Sequence, residues 1–269
     1  RKHGSEVVQC HLARAAHLGG AAARALGLPT LAKKHNYVDL KYYRAIDLLV
    51  PTTQSQADYL REQRIPTERI VQIPNFSRLR VSIRRPSAFD GPLRVLGLGR
   101  FVEKKGFDVL LDALASLAPQ RIALTLAGDG PLREALHARA QALPPTVTVR
   151  FSGWVEDVAP LFAAHDLFVL PSRDEPFGIV ILEAMAAGVP IIATRTRGPL
   201  EILDAATAVL VDICDVQALA QAIDGILRDR SGALDRAARA AAVYETTYSA
   251  AAVVPQYEAL YTALTRGRK

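Results

Sequence analysis

The 269-residue sequence has few residues that could cross-link it or anchor it in a membrane, with two cysteines and one methionine. Cys10 and Cys214 stand far apart, which argues against a disulfide framework and a cysteine-based metal site and favours a reducing compartment. No apolar run approaches the roughly 18 residues that a membrane-spanning helix needs. The first residues, RKHGSEVV, lack the apolar segment of a signal peptide. We therefore expect a cytoplasmic protein.

The positive charge is concentrated in the first third of the chain. Residues 1–92 hold 15 Lys and Arg against 7 Asp and Glu, a net charge of +8, whereas residues 93–269 hold 18 against 20, a net charge of −2. A basic segment can bind an anionic membrane, or it can be an ordinary solvated surface, and the sequence leaves both interpretations open. Binding to nucleic acid is the less favoured interpretation because no DNA- or RNA-binding motif accompanies the charge.

From residue 93 onward, short apolar runs alternate with helical patterns. This alternation predicts a doubly wound parallel sheet of α/β class. The predicted strands cover residues 93–98, 122–127, 147–151, 167–171, 190–194 and 208–211.

The rest of the chain predicts a second, smaller α/β domain. Residues 1–76 contain strand patterns at 6–11, 29–32, 47–51 and 70–73, enough for part of a Rossmann-like domain. Residues 77–92 are rich in Arg, Ser and Pro and are interpreted as a linker. Residues 93–248 form the second domain, and residues 249–269 form a terminal helix that Pro255 should start or kink.

The first candidate binding loop is GLGRFVEKKG, after the strand at 93–98. Val102 occupies the place of the third glycine of a dinucleotide fingerprint, which argues against a nicotinamide cofactor. Gly99, Arg100, Lys104 and Lys105 instead supply a glycine turn and three cations where a strand ends, as a diphosphate requires. A tight turn with solvated charges is the alternative.

Two further strand ends carry glycines, in AGDGP and FSGWVED. Gly128 and Gly130 would let the backbone approach a ligand, although a plain turn explains them about as well. The backbone around Val155 could hydrogen-bond a flat base. We expect the indole of Trp154 to pack in the core.

The most informative segment is LFVLPSRDEPFGIVILEAMAAGVPIIAT, which predicts a strand, a loop, a helix and a second strand. Glu175 lies in the loop and could accept hydrogen bonds from sugar hydroxyls, and Glu183 lies in the helix and could reach a ribose. The amides near Gly178 and Ile179 form an anion site at the helix start. Two solvated or ion-paired glutamates are the alternative, but the expected burial of the neighbouring apolar residues argues against it; these are Phe177, Ile179, Val180, Ile181 and Leu182.

Together these motifs resemble the retaining glycosyltransferases of group 1, also called family 4. The resemblance covers roughly residues 47–265 and includes G-R-x3-K-K-G, A-G-D-G-P-L, F-S-G-W-V-x-D and P-S-x2-E-P-F-G-x4-E-A-M-A-A-G-x-P-I-I-A-T. It implies the GT-B architecture, with two Rossmann-like domains facing across a cleft. It also implies a nucleoside-diphosphate-sugar donor, a saccharide or lipid-linked acceptor of the cell envelope, and no metal or other cofactor.

The resemblance also implies a role for each motif. Arg100 and Lys105, with Lys104 as the alternate, would bind the donor diphosphate and stabilise the leaving group. Glu175 would hold the donor sugar and Glu183 the ribose. The amides of Phe177, Gly178, Ile179 and Val180 would contact the phosphates.

The first domain departs from the family pattern. His11 lies where the family often has a histidine near the reacting sugar, but it could equally be a surface histidine, and His35 is a weaker candidate. The family's opening strand and glycine-rich loop have no counterpart here, so we expect the chain to be part of a longer protein. A non-catalytic nucleotide-sugar-binding fragment and a nucleotide-sugar epimerase remain the alternatives to a transferase.

Overall fold

The computed structural model describes residues 4–266 except 36, 38, 82–90 and 118–119. The chain forms two compact units. Unit 1 consists of residues 1–76 and 250–269, and unit 2 consists of residues 77–249. Each unit contains a parallel sheet with helices, which confirms the predicted α/β class.

Unit 1 is built on a parallel sheet with the strand order β1-β2-β3. The strands are β1 (Val8–His11), β2 (Thr30–Lys34) and β3 (Leu48–Pro51), and the helices beside them are α1 (Leu12–Ala25) and α2 (Gln54–Glu62). Short 3-10 turns cover Leu40–Tyr43 and Thr67–Arg69. Alternation along the strands puts Cys10, Ala32 and Leu49 on the face that α1 and α2 cover.

The predicted fourth strand of unit 1, residues 70–73, forms only an isolated bridge between Leu49 and Ile70. Two further backbone hydrogen bonds extend this pairing, from the Val71 amide to Leu49 and from the Ile73 amide to Pro51. The segment therefore runs beside β3 without forming a regular strand.

Unit 2 is built on a larger parallel sheet, with the strand order β6-β5-β4-β7-β8-β9 in the described residues. The strands are β4 (Leu93–Leu98), β5 (Ile122–Ala127), β6 (Val147–Gly153), β7 (Leu167–Leu170), β8 (Ile191–Thr194) and β9 (Val209–Val211). The chain builds outward from β4 in one direction and from β7 in the other. The strand order therefore reverses between β4 and β7, and ligands bind at such a switch point in open α/β sheets.

Helices cover both faces of the unit 2 sheet. They are α3 (Phe107–Ala115), α4 (Arg133–Gln141), α5 (Ala159–Ala164), α6 (Ile179–Ala186), α7 (Arg197–Ile202), α8 (Val216–Arg228) and α9 (Arg230–Val243). Leu93 and Val95 belong to the core on one face, and Leu96 and Leu98 belong to the core on the other. Both faces are buried, which explains why the strands are nearly continuous apolar runs.

The segment predicted as a linker begins inside unit 2. Ser77 pairs with Ser249, and the Tyr244 hydroxyl donates hydrogen bonds to the carbonyls of Ser77 (3.0 Å) and Leu79 (2.6 Å). Most of the predicted linker, residues 82–90, lies outside the described residues.

The last helix, α10 (Ala250–Arg266), belongs to unit 1. It begins ahead of Pro255 and continues past it, so Pro255 does not mark its start. Val253 and Tyr257 pack with Leu31, Val50 and Ile73 on the sheet face opposite α1. Among the described residues, every helix is too short or too polar to span a membrane.

Gly128, which follows β5, lies against the loop that follows β4. Its φ is +137°, and a Cβ atom built there would lie 2.0 Å from the Gly99 carbonyl oxygen. We expect Gly128→Ala to lower the free energy of unfolding by at least about 2 kcal/mol, because the backbone must shift and the torsion is strained. Urea denaturation followed by circular dichroism measures the change.

Gly225→Ala in α8 is the matched control. Nothing lies within 4 Å of a Cβ atom built at Gly225. This substitution should stabilise the helix by roughly 0.5–1 kcal/mol. Equal effects of the two substitutions would contradict the close approach of the Gly128 and Gly99 loops.

Candidate functional site

The candidate site lies at the carboxyl ends of β4 and β7, where the strand order reverses. The loop after β4 is held by the loop after β5, since the amides of Gly99 and Phe101 donate to the carbonyls of Ala127 (2.9 Å) and Asp129 (2.8 Å). The Gly128 amide in turn donates to the Gly153 carbonyl at 2.7 Å, after β6. Three strand-end loops therefore form one hydrogen-bonded layer.

The glycines of this layer serve its own packing. A Cβ atom at Gly130 would lie 2.6 Å from the Phe101 carbonyl oxygen. At Gly99 a Cβ atom would lie 3.3 Å from the Lys105 side chain, which passes over this residue. Both glycines, like Gly128, allow neighbouring loops to approach, which supports the turn interpretation and leaves contact with a ligand as a prediction.

Lys105 and Glu175 form the central contact of the site. The Lys105 Nζ atom lies 2.5 Å from Glu175 Oε2, and the two side chains are only 13% and 11% exposed. The ion pair joins the loop after β4 to the loop after β7. Because breaking a buried ion pair leaves an unpaired charge, the pair constrains both loops strongly.

Arg173 joins the same two loops. No sequence pattern predicted its role. Its guanidinium donates to both carboxylate oxygens of Asp108 (2.8 and 2.7 Å) and to the Glu103 carbonyl (2.9 Å). Its own amide donates to the Lys104 carbonyl at 2.8 Å. The Arg173 guanidinium holds the pKa of the Asp108 carboxyl below its usual value. Arg173 and Asp108 are 65 residues apart, and no sequence motif links them.

Two buried hydroxyls without a hydrogen-bond partner in the described residues also lie at these strand ends. They belong to Ser172, after β7, and Thr196, after β8. The sequence offered a signal for Ser172, which precedes Glu175 in the P-S-x2-E motif. Buried hydroxyls are normally hydrogen-bonded, so each of these two calls for a partner such as a water molecule or a polar ligand.

The start of α6 lies beside Glu175. Gly178 has a left-handed conformation with a φ of +93°, and a Cβ atom built there would be 3.2 Å from Glu175 Cγ. The amide groups of Ile179 and Val180 are in the first turn, where helix geometry supplies no acceptor. The arrangement puts N–H groups that have no partner among the described residues, and the positive end of the helix dipole, next to the Lys105–Glu175 pair.

Glu183, in the same helix, is partly buried and forms no hydrogen bond or ion pair with the described residues. Burial raises the pKa of its carboxyl to about 7. It shares a helix face with Ile179, four residues earlier. Ile179 is 47% exposed, so the prediction that the apolar residues around Glu175 and Glu183 are all buried is wrong. Phe177, Ile181 and Leu182 are buried, whereas the outer face of α6 is open.

The prediction that Trp154 packs in the core is also wrong. Its side chain is 78% exposed. Gly153 adopts a left-handed conformation with a φ of +71° at the end of β6, where the backbone leaves the sheet. Phe151, which precedes this turn on β6, stacks on His137 at a centroid distance of 3.7 Å. Val155 packs against the core on the α6 side of the sheet.

The two other predicted cations are less constrained. Arg100 is exposed, and Lys104 is partly exposed. Neither forms an ion pair with the described residues. Both are free to meet a negatively charged ligand, but the structure does not bring them to Glu175 as it does Lys105.

The predicted catalytic histidine, His11, lies in unit 1 at the end of β1. Its Nδ1 atom is 3.2 Å from Nε2 of His35, and the rings stack at 5.5 Å. Burial and nearby Lys33 lower the pKa of His11 and lower that of His35 to about 4. Within the described ranges, no cluster of His, Cys, Asp or Glu is arranged to hold a metal ion.

Comparison with known proteins supports the family resemblance of the sequence motifs. The profile of a family described as "Glycosyl transferases group 1" matches residues 80–243. The lipopolysaccharide core biosynthesis glycosyltransferase LpsE of Rhizobium meliloti is 38% identical over 204 residues, 71% of this chain and 57% of the relative. LpsD of the same organism is 33% identical over 247 residues, 87% of this chain and 69% of the relative.

Solved structures share the fold. Anabaena Alr3699/HepE in complex with UDP superposes with a TM-score of 0.85 at 22% identity, over 97% of this chain and 79% of that protein. Sucrose-phosphate synthase from Thermosynechococcus elongatus gives a TM-score of 0.84 at 25% identity, over 99% of this chain and 75% of that protein. The chain belongs to the glycosyl transferases of group 1, and its two Rossmann-like units have the GT-B fold.

Proposed function

We propose that this chain takes part in transferring a sugar from a nucleoside-diphosphate-sugar donor to a saccharide or lipid-linked acceptor, with retention at the anomeric carbon. The observation that carries the proposal is the buried Lys105–Glu175 pair at the switch point, beside the free amides of α6. It combines a cation, hydroxyl acceptors and an anion site at one sheet edge.

The cations and the amides bind the diphosphate of the donor. Lys105 is held at the site by Glu175, and Arg100 is exposed on the neighbouring loop. The amides of Gly178, Ile179 and Val180 add donors at the start of α6, with Phe177 preceding them. As the bond to the sugar breaks, negative charge grows on the leaving diphosphate, and these groups stabilise it without a metal ion.

Glu175 holds the donor sugar in this scheme. Its Oε2 atom is engaged by Lys105, so the other carboxylate oxygen is available to sugar hydroxyls. The Ser172 hydroxyl, which is buried with no partner in the part of the chain that the structure describes, supplies a further group for the same purpose. Glu183 accepts from the ribose diol, which supplies hydrogen-bond donors to a half-buried carboxyl that has none among the described residues.

The remaining predicted residues have supporting roles. The backbone of Gly99, Gly128 and Gly130 approaches the phosphates, and the backbone at Val155 approaches the base. His11 lies near the reacting sugar. Residues 1–76 with the 249–269 helix serve the acceptor, and residues 93–248 bind the donor.

The names of the relatives indicate a cellular process. The two Rhizobium relatives are named for lipopolysaccharide core biosynthesis, and we propose a role in cell-envelope polysaccharide or lipopolysaccharide synthesis. The enzyme would work in the cytoplasm, and its basic first part would contact the anionic inner face of the plasma membrane. UDP is the first nucleotide to test because Alr3699/HepE was solved with it, followed by GDP and ADP.

A non-catalytic nucleotide-sugar-binding role is the second candidate. The chain spans 57% of the length of LpsE and 69% of that of LpsD. Both roles require donor binding, but only the transferase requires bond cleavage. Release of nucleoside diphosphate from a donor sugar distinguishes them.

Donor binding should depend on Arg100. We expect Arg100→Ala to weaken nucleoside-diphosphate binding by about 2 kcal/mol, roughly 30-fold in Kd, because a charged hydrogen bond to phosphate is lost. Isothermal titration calorimetry measures the change. Arg121→Ala is the control, since Arg121 is exposed at the amino end of β5, at the opposite edge of the sheet. Equal affinities of the Arg100→Ala variant and the wild type would exclude this role.

Sugar transfer should depend on the Glu175 carboxylate. We expect Glu175→Gln to reduce donor cleavage at least about 100-fold, because Lys105 loses its counter-charge and the sugar loses an acceptor. The rate of nucleoside-diphosphate release measures this, in the full-length enzyme if the chain alone does not turn over. Glu134→Gln, an exposed residue of α4, is the control. Undiminished cleavage in the Glu175→Gln variant would refute the assignment.

Glu183 should make the protein less stable as the pH rises. Its pKa is raised from 4.5 to about 7 by burial, so between these values the folded protein binds more protons than the unfolded chain. Stability therefore falls as the pH rises through this window, by on the order of 2–3 kcal/mol in total.

Glu183→Gln tests both roles of this carboxyl. The variant should be more stable than the wild type at pH 8, equally stable near pH 4.5, and weaker in nucleotide binding. Urea denaturation at the two pH values and calorimetry at pH 8 measure these effects, with Glu134→Gln as the control. Identical pH dependence in wild type and variant would contradict the burial argument, and unchanged nucleotide affinity would contradict the ribose contact.

A further inference from the structure

Unit 1 contains a buried positive charge that the proposed transfer reaction does not use. Lys33, in β2, is only 6% exposed. Its ammonium lies 5.2 Å from the centre of the Tyr257 ring, on α10, and forms no ion pair with any described carboxylate. Burial lowers the pKa of Lys33 to about 8, which still leaves most of the lysine protonated at neutral pH.

Two other buried charges in this protein are compensated by an opposite charge. Asp166 is held by the Arg94 guanidinium at 2.7 Å, and Glu175 by Lys105 at 2.5 Å. A single tyrosine face offers a buried ammonium roughly 2 kcal/mol, less than the cost of removing an ion from water. The contact with Tyr257 therefore does not account for Lys33.

Tyr257 is itself incompletely satisfied. Its side chain is 7% exposed, and its hydroxyl is buried with no hydrogen-bond partner in the described residues. A tyrosine retained only for its ring would leave this hydroxyl at a cost of about 1–3 kcal/mol. A buried ammonium and a buried hydroxyl on adjacent elements are both donors in need of an acceptor.

Neutral polar side chains line the same face of the sheet. The Tyr261 hydroxyl donates to Gln9 Oε1, and Gln9 Nε2 donates to His11 Nε2 at 2.8 Å. His11 Nδ1 then meets His35 Nε2 at 3.2 Å. None of these groups carries a negative charge that could offset Lys33. His11 is exposed and His35 partly so, so the histidine end of this row of side chains is open to solvent.

We propose that Lys33, Tyr257 and the His11–His35 pair form a binding site for an oxyanion group, a phosphate monoester or a carboxylate. The anion neutralises the Lys33 ammonium and accepts the Tyr257 hydroxyl proton in a hydrogen bond. Its charge also favours protonation of the two imidazoles, which adds donors to the site. The site stands on unit 1 alone. If the proposed function holds, it identifies the acceptor as a saccharide that bears an acidic group.

Histidine NMR signals test the site directly in the wild-type chain. Sodium phosphate is titrated against the ¹⁵N-histidine-labelled protein at constant ionic strength, with His11→Gln and His35→Gln used for assignment. We expect saturable shifts of the His11 and His35 signals with a Kd in the millimolar range, about 1–10 mM. The signals of His137 and His165, in unit 2, serve as references outside the proposed site.

Two variants identify the groups involved. Lys33→Met should weaken phosphate binding at least tenfold, and Tyr257→Phe should weaken it about threefold without loss of stability. Lys41→Met is the matched control, because Lys41 also stacks on a tyrosine but is exposed and paired with Asp39. Nucleoside-diphosphate binding should be unchanged in all three variants, so this test succeeds or fails independently of the donor site.

Glucose 6-phosphate, glucuronate and glucose distinguish the sources of the anion. Glucose should not shift the His11 and His35 signals, and the tighter of the two acidic sugars identifies the group that the site prefers. Absence of saturable shifts in the wild type with phosphate and with glucuronate would overturn the proposal, as would equal affinity in wild type and Lys33→Met.

Discussion

The ion pair between Lys105 and Glu175 is the contact on which the candidate site depends. It joins two loops that follow neighbouring strands of the sheet but lie 70 residues apart in the sequence. Arg173 bonds to Asp108 and to the Glu103 carbonyl, which fixes the backbone on either side of the pair. Neither loop can move alone without leaving a nearly buried charge unpaired, and this cost preorganises the site before a ligand arrives.

Some buried charges of this protein have an opposite charge beside them, and others do not. Lys105 and Glu175 neutralise each other, whereas Glu183 in unit 2 and Lys33 in unit 1 have no opposite charge within reach among the described residues. Burial shifts the pKa of both toward neutrality. A protein that tolerates such groups gives up stability for them, and in both cases we assign the missing partner to a ligand.

The regular elements of unit 2 could be predicted closely from the sequence. The strands at 93–98 and 122–127 have the predicted bounds, because buried parallel strands are continuous apolar runs with polar turns at their ends. Trp154 was misplaced because its position in the sequence does not reveal that Gly153 turns the backbone away from the core. The segment at 70–73 was overestimated because an apolar pattern alone does not ensure a full ladder of hydrogen bonds.

The sequence by itself determined the order of strands and helices and which charged residues stand at the strand ends, because both follow from local hydrophobic periodicity and turn chemistry. It also carried the motifs of the group 1 family. Only the tertiary structure decided which of those charges meet. Lys105 reaches Glu175 while Arg100 does not, Arg173 pairs with Asp108, and Lys33 lies against the Tyr257 ring with no counter-charge among the described residues. These contacts join residues far apart in the chain, and sheet order and loop packing set them, which no local pattern encodes.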